Sequence, residues 1–204
     1  MMSNISCVLF DLGGVIINWD NSWLIQELCD TFQLQKEKVS KAFYKYLPDI
    51  SIDKIDEKEF WHIVGEELES DKLMNYNKSI LDEIFRKRIS LNDSIISLSR
   101  ELSKKGIDIG ILSNTERVSY SVVEDLFSLD HFKYKFLSYK IGHVKPNPEI
   151  YQYVIENIPF PKEELFFIDD LKPNVESARI EGIDAVQYSD HEKLVKECHL
   201  RQLL

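Results

Sequence analysis

The 204-residue chain predicts an α/β fold: a Rossmann-like, doubly wound parallel sheet carrying an inserted helical unit. Three observations predict it. Short apolar runs recur along the chain, and those at 5–10, 107–112 and 165–168 are apolar on both faces, as in strands buried between two helical layers. From Asn92 to the end such runs alternate with helical patterns, the mark of parallel strands joined by crossovers. Between Asn18 and Ile89 the alternation stops, and helical patterns occur with no clear strand. The division expected is a core over 1–17 and 90–204 with a cap subdomain over 18–89. A chain of this length, 44% hydrophobic, suffices for one well-buried core and a small accessory unit.

The elements follow in order. "ISCVLF" is the first strand. The cap helices are "SWLIQELCDTF", "QKEKVSKAFYKYL", "DEKEFWHIVGEEL" and "KSILDEIFRKRI". "NDSIISLSRELSKKG" reads as a helix with Asn92 as N-cap, Ile95, Leu98 and Leu102 on one face, and Gly106 as its stop. "IDIGIL", "YKFL", "LFFI" and "DAVQY" supply the remaining strands. "NPEIYQYVIENI" and "KPNVESARIEG" open with Pro148 and Pro173 in their first turns, where a missing N–H costs nothing, and the second stops at Gly182. There are no repeats and no low-complexity tracts.

Composition narrows the function classes. A net charge of -10 argues against general attraction to nucleic acid or anionic membrane, so an anionic ligand must be held by local cations. Cys7, Cys29 and Cys198 are odd in number and show neither disulfide nor zinc-ligand spacing, which points to reduced, buried thiols. The start "MMSNISCVLFDL" lacks the charged flank and length of a signal peptide, and no run approaches about 18 apolar residues. A cytoplasmic protein is expected.

Ligands of open parallel sheets bind beyond the carboxyl ends of the strands, so the residues just after each strand carry the chemistry. These are Asp11, then Ser113 and Asn114, then Lys145 in "GHVKP", then Asp169 and Asp170. Each alone reads as ordinary turn or cap chemistry; in chain order after successive strands they make a nucleophile, a metal seat and an anion clamp. Carboxylates from different strands suit Mg²⁺, a carboxylate beside it can attack phosphorus, and Lys145 with the Ser113 hydroxyl can steady the transferring group. Gly13 and Gly14 let the backbone approach closely. His143 lies in the same loop as Lys145, but a loop histidine needs a partner to act as a base. Trp19, Trp23, Phe43, Tyr44 and Tyr46 are candidates for a substrate face, though aromatic residues at helical spacing more often form core.

The segments "FDLGGV", "LSNT", "KPNPEIY" and "FIDDLKPN" resemble the four motifs of the haloacid dehalogenase-like hydrolase superfamily, in order and at its spacing. The helical block is similar to that family's C1 cap. Within it, "FDLGGV" and "SNT" look closest to the phosphatases of α-D-glucose 1-phosphate and to the phosphatase domain of soluble epoxide hydrolase. The resemblance implies a Mg²⁺-dependent phosphatase acting on a small phosphorylated metabolite, a sugar 1-phosphate among the candidates. It implies Asp11 as nucleophile and metal ligand, the Gly13 carbonyl as a second ligand, and Asp170 with Asp169 completing the metal seat. Ser113, Asn114 and Lys145 hold the phosphate, and Asn174 occupies a position where the fourth motif often has another polar group.

One residue departs from the pattern. Most phosphatases of this superfamily carry an acid two residues after the nucleophile, and here that residue is Gly13. General acid–base help contributes about 10²- to 10⁴-fold, against enhancements of up to about 10²¹-fold for phosphate-monoester hydrolysis. Its loss is expected to restrict the enzyme to leaving groups that need little protonation. Two other readings stay open: a metal-free haloacid dehalogenase, which also lacks the second acid, and a catalytically weak pseudophosphatase that only binds.

Overall fold

The computed structural model describes residues 5–204; Met1 to Asn4, at the start of the stretch read above as leader-free, lie outside the described residues. Five strands form one parallel sheet: β1 (Cys7–Phe10), β4 (Asp108–Ser113), β5 (Tyr134–Leu137), β6 (Leu165–Asp169) and β7 (Asp184–Gln187), in the order β5-β4-β1-β6-β7. This is the predicted doubly wound fold, with β1 at its centre.

Alternation along the strands shows why both faces are buried. Val8 and Phe10 of β1, with Ile109, Ile111, Phe166 and Ile168, enter one hydrophobic cluster. Cys7 and Leu9, with Leu112, Leu165 and Phe167, enter another on the opposite face. Helices α6 (Asp93–Lys104), α7 (Arg117–Leu126), α9 (Pro148–Asn157), α10 (Lys172–Ile180) and α11 (His191–Leu200) supply the outer layers. Gly110 is forced by close packing: a Cβ there would lie 2.7 Å from Leu9 Cδ2.

The helical block comprises α1 (Asn21–Phe32), α2 (Lys36–Ser51), α3 (Glu57–Glu67), the single turn α4 (Asp71–Met74) and α5 (Ile80–Arg88). It has a core of its own, in which Leu28, Val39, Phe43, Phe60 and Val64 are buried. Two differences from the sequence reading stand out here. The chain leaves and re-enters the core through a two-stranded antiparallel neck, β2 (Ile17–Asn18) and β3 (Ser90–Leu91), too short to show alternation. Helix α2 also runs past Leu47 and through Pro48 to Ser51.

The block is tied to the core at several points. Ser138 Oγ, in the short helix α8 (Ser138–Ile141), donates to the Ser51 carbonyl at 2.6 Å, and Arg117 binds Asp53. Asn92 sits at the N-cap position of α6 as predicted, but its side chain does not cap the helix; its amide donates to Tyr188 Oη at 3.0 Å. The three cysteines are free and buried. No helix among the described residues is long and apolar enough to cross a membrane.

Candidate active site

The central position of β1 decides where chemistry gathers. Its neighbours β4 and β6 end at the same level, so Asp11, Ser113 and Asp169 emerge together beyond the carboxyl edge. The Asp11 amide donates to the Ile168 carbonyl at 2.8 Å, prolonging the ladder, and the Leu12 N–H donates to Asp11 Oδ1 at 2.7 Å. The chain then turns sharply, with Gly14 N–H on the Ile17 carbonyl and Ile17 N–H on the Leu12 carbonyl.

Gly14 has φ of +77°, and a Cβ there would lie 2.5 Å from Asp170 Oδ2, so backbone and steric demands coincide. Gly13 is different from the expectation for paired glycines. A Cβ on it would meet only Trp19, at an ordinary 3.6 Å.

Ligand atoms of Asp11, Asp169 and Asp170 lie within 4.8 Å of one another. Lys145 is inserted among them, its ammonium 2.8 Å from Asp11 Oδ1 and 2.5 Å from Asp169 Oδ2, and it also donates to the Leu112 carbonyl at 3.0 Å. Asp169 is thoroughly engaged. Its Oδ1 accepts from the Leu171 N–H at 2.8 Å, and both oxygens accept from the Asn174 amide, at 3.0 and 3.1 Å. The buried Asn174 therefore orients Asp169. Asp170 instead lies against Gly14, half-buried at the edge of the cavity.

Electrostatics follow from this crowding. Burial, reinforced by the Asp169 charge, raises the Asp11 carboxyl well above the ordinary carboxylate range even though Lys145 pulls it down. Burial and Asp169 raise Asp170 as well. Lys145 is raised: burial works against its charge, but Asp11 and Asp169 outweigh it. With all three carboxylates ionised, the cluster facing one ammonium would carry a formal charge of −2. An excess of that size is relieved either by protons on Asp11 and Asp170 or by a divalent cation.

The other predicted residues are placed as follows. Ser113 is buried at the end of β4. Asn114 pairs its amide with the backbone of Lys145, donating to the carbonyl and accepting from the N–H, both at 2.8 Å. Its side chain thus fixes the loop that delivers Lys145. His143 is exposed and does not line the cavity, whereas Val144 and Lys145 do.

The cluster forms the floor of a cavity of about 590 Å³ between the sheet edge and the helical block. Trp19, Phe43 and Tyr44 line it; Trp23 and Tyr46 do not. Trp23 packs edge-on against Trp19, and Tyr46 donates to Glu67. Two acidic lining residues had not been singled out from sequence. Asp20 caps α1 through the Ser22 N–H, and Glu116, the N-cap of α7, is half-buried where block and core meet. Aspartate at an N-cap is ordinary, and Glu116 follows "LSNT" with nothing in its pattern to mark it.

Known proteins give a consistent picture. The family model described as haloacid dehalogenase-like hydrolase matches residues 8–188. D-Ribitol-5-phosphate phosphatase of Bacteroides thetaiotaomicron is 24% identical, covering 88% of this chain and 90% of its own. A phosphorylated carbohydrates phosphatase of Thermotoga maritima is 25% identical over 88% of this chain and 82% of its own. Among solved structures, a HAD family enzyme from Bacteroides thetaiotaomicron in complex with magnesium and inorganic phosphate superposes with a TM-score of 0.70 at 26% identity, covering 91% of this chain and 94% of that one.

Proposed function

The chain belongs to the haloacid dehalogenase-like hydrolase family, and from that premise we propose that it is a Mg²⁺-dependent phosphomonoesterase working through an aspartyl-phosphate on Asp11. The observation that carries this reading is the buried cluster of Asp11, Asp169 and Asp170 around Lys145, at the floor of one cavity with Ser113. The donor set is all oxygen and its charge is uncompensated, which fits Mg²⁺. Asp11, Asp170 and the Gly13 carbonyl would hold the ion, with Asp169 fixed behind them by Lys145, Asn174 and the Leu171 N–H. When bound, the ion neutralises the phosphate oxygens and the cluster. Phosphatases acting on small phosphorylated compounds among the relatives support this reading.

The chain's own residues then have separable tasks. Lys145 and the Ser113 hydroxyl hold the phosphoryl oxygens, while Asn114 keeps the Lys145 loop in place. A carboxylate oxygen of Asp11 attacks phosphorus; the bond to the leaving oxygen breaks, and its electron pair leaves with that oxygen as an oxyanion, which takes its proton from water. Water then cleaves the acyl phosphate, releasing inorganic phosphate and restoring Asp11. With glycine at position 13, no side chain there donates the proton, so the leaving groups that fit are anomeric, aryl or acyl oxygens. Dehalogenation is disfavoured, because three carboxylates sharing only the Lys145 ammonium, with no metal among them, repel an incoming haloacid. The free cysteines, with Cys7 pushed up to about 12 and Cys198 to about 11 by burial, are inert thiols that fit a reducing cytoplasm.

The test is release of phosphate from 4-nitrophenyl phosphate with and without Mg²⁺, using Asp11→Asn as the blank. Turnover that needs both the ion and Asp11 is expected. Equal turnover without either overturns the assignment. A hexose 1-phosphate should outpace its 6-phosphate, and rapid quench should show a burst of alcohol because the second step also lacks its base.

A further inference from the structure

The wall that the helical block and its neck supply differs in character from the floor. It is contributed by Trp19, Leu24, Phe43, Tyr44, Leu47 and Pro48. Phe43 and Tyr44 pack edge to face at 5.3 Å, and Trp19 lies 4.0 Å from Phe85. Tyr44 and Leu171 are each about half exposed, at 50% and 55%, on opposite sides of the same cavity, one on the block and one on the core.

Several polar groups on this side are already engaged. Asp20 caps α1, Asn21 accepts from Trp19 Nε1 at 2.9 Å, and Ser51 hydrogen-bonds Glu116. Cations are scarcer still. Among the described residues Lys145 is the one basic residue lining the cavity, and its three bonds go to Asp11, Asp169 and the Leu112 carbonyl. Arg117, adjacent to Glu116 in sequence, turns away to Asp53. At the seam, burial raises the Glu116 carboxyl despite hydrogen bonds from Ser119 and Ser51, so the surroundings penalise negative charge even where hydroxyls support it.

We infer that the alcohol released here is uncharged and lays an aryl- or alkyl-like face on this wall, and that phosphoesters bearing a second anionic group are rejected. The inference rests on the phosphomonoesterase reading and narrows it to one substrate class. A charged substituent entering the upper cavity loses its water and gains no counter-ion. An apolar one displaces water from aromatic carbon, where even one methylene in a hydrophobic pocket discriminates about tenfold or more.

The experiment uses two aryl phosphates whose phenols are nearly equally acidic, 4-ethylphenyl phosphate and 4-(carboxymethyl)phenyl phosphate, with Mg²⁺. The ethyl ester should have the higher kcat/KM by about tenfold or more, and Tyr44→Lys should narrow that ratio about tenfold by supplying a cation at the cavity mouth. Equal values for the two esters, or a ratio unmoved by Tyr44→Lys, overturn the inference. The matching benzylphosphonates, with a hexose 1-phosphonate as the polar neutral probe, are titrated by tryptophan fluorescence, since Trp19 lines the cavity. This binding order is read without turnover. Absence of Mg²⁺- and Asp11-dependent phosphate release therefore defeats the phosphatase reading alone, whereas a tighter hexose or carboxylate probe defeats the substrate class alone.

Discussion

At the scale of residues, the two adjacent glycines have different physical grounds. Gly14 is compelled by its positive φ and by Asp170 Oδ2 lying 2.5 Å from any Cβ. Gly14→Ala should weaken Mg²⁺ about 10- to 100-fold, as displacement of a metal ligand's support does, measured by titrating activity with Mg²⁺; unchanged affinity contradicts the placement of Asp170. Gly13 has room for a side chain, so its identity reflects chemistry more than packing. Gly13→Asp should leave 4-nitrophenyl phosphate turnover within a few-fold and raise that of a hexose 6-phosphate by about 10²-fold. No gain on the poor leaving group would separate proton transfer from this position. The carboxylates and Ser113 were legible because each ends or directly follows a strand, where the topology alone places it; Lys145 lies eight residues past β5, beyond α8, and is brought back to the cluster by a loop that Asn114 holds. Glu116 and Asp20 were not, since they reach the cavity through the seating of the block. Asn174 was noticed as a polar residue, but its role as the brace for Asp169 depends on helix α10 turning its first residues back toward β6.

At the scale of elements, capping shows what local pattern does and does not decide. Asp56 accepts from the Glu59 N–H at 2.8 Å and starts α3, with Glu57 and Glu59 in its first turn. Asp56→Ala should cost about 1 kcal/mol, lowering Tm by roughly 2–4 °C for a chain of this size in a thermal melt followed by circular dichroism; a change under half a degree would show the cap to be idle. Asn92 occupies the same position in α6, yet its amide is drawn off to Tyr188, a partner 96 residues away that no local pattern reveals. The long helices were legible from their apolar spacing. The neck strands and α4 were too short to carry a period, and α2 continues through Pro48 because Ile50 and Ser51 beyond it are buried.

At the scale of the whole molecule, net charge and site charge combine. The chain carries a net -10, and three of its acids crowd together in the cluster at the sheet edge. Both Asp11 and Asp170 have raised pKa values there, so in the metal-free fold they bind protons that the unfolded chain has already released. Stability then falls as pH rises from the ordinary carboxylate value of about 4 through about 7, where Asp11 titrates. His131, lowered by burial, contributes the opposite slope nearby, so absolute melting temperatures mix the two. The difference between melts in Mg²⁺ and in chelator cancels His131, which is remote from the cluster and bonds Ser99. Ligands must lose their protons to bind the ion, and binding to the fold alone raises Tm by mass action. The Mg²⁺-induced rise in Tm should therefore grow from about pH 5 to about pH 8, by several degrees, and Asp11→Asn should flatten it. A rise that is constant with pH, or greatest at the acid end, would mean that the ion binds elsewhere than at the protonated pair.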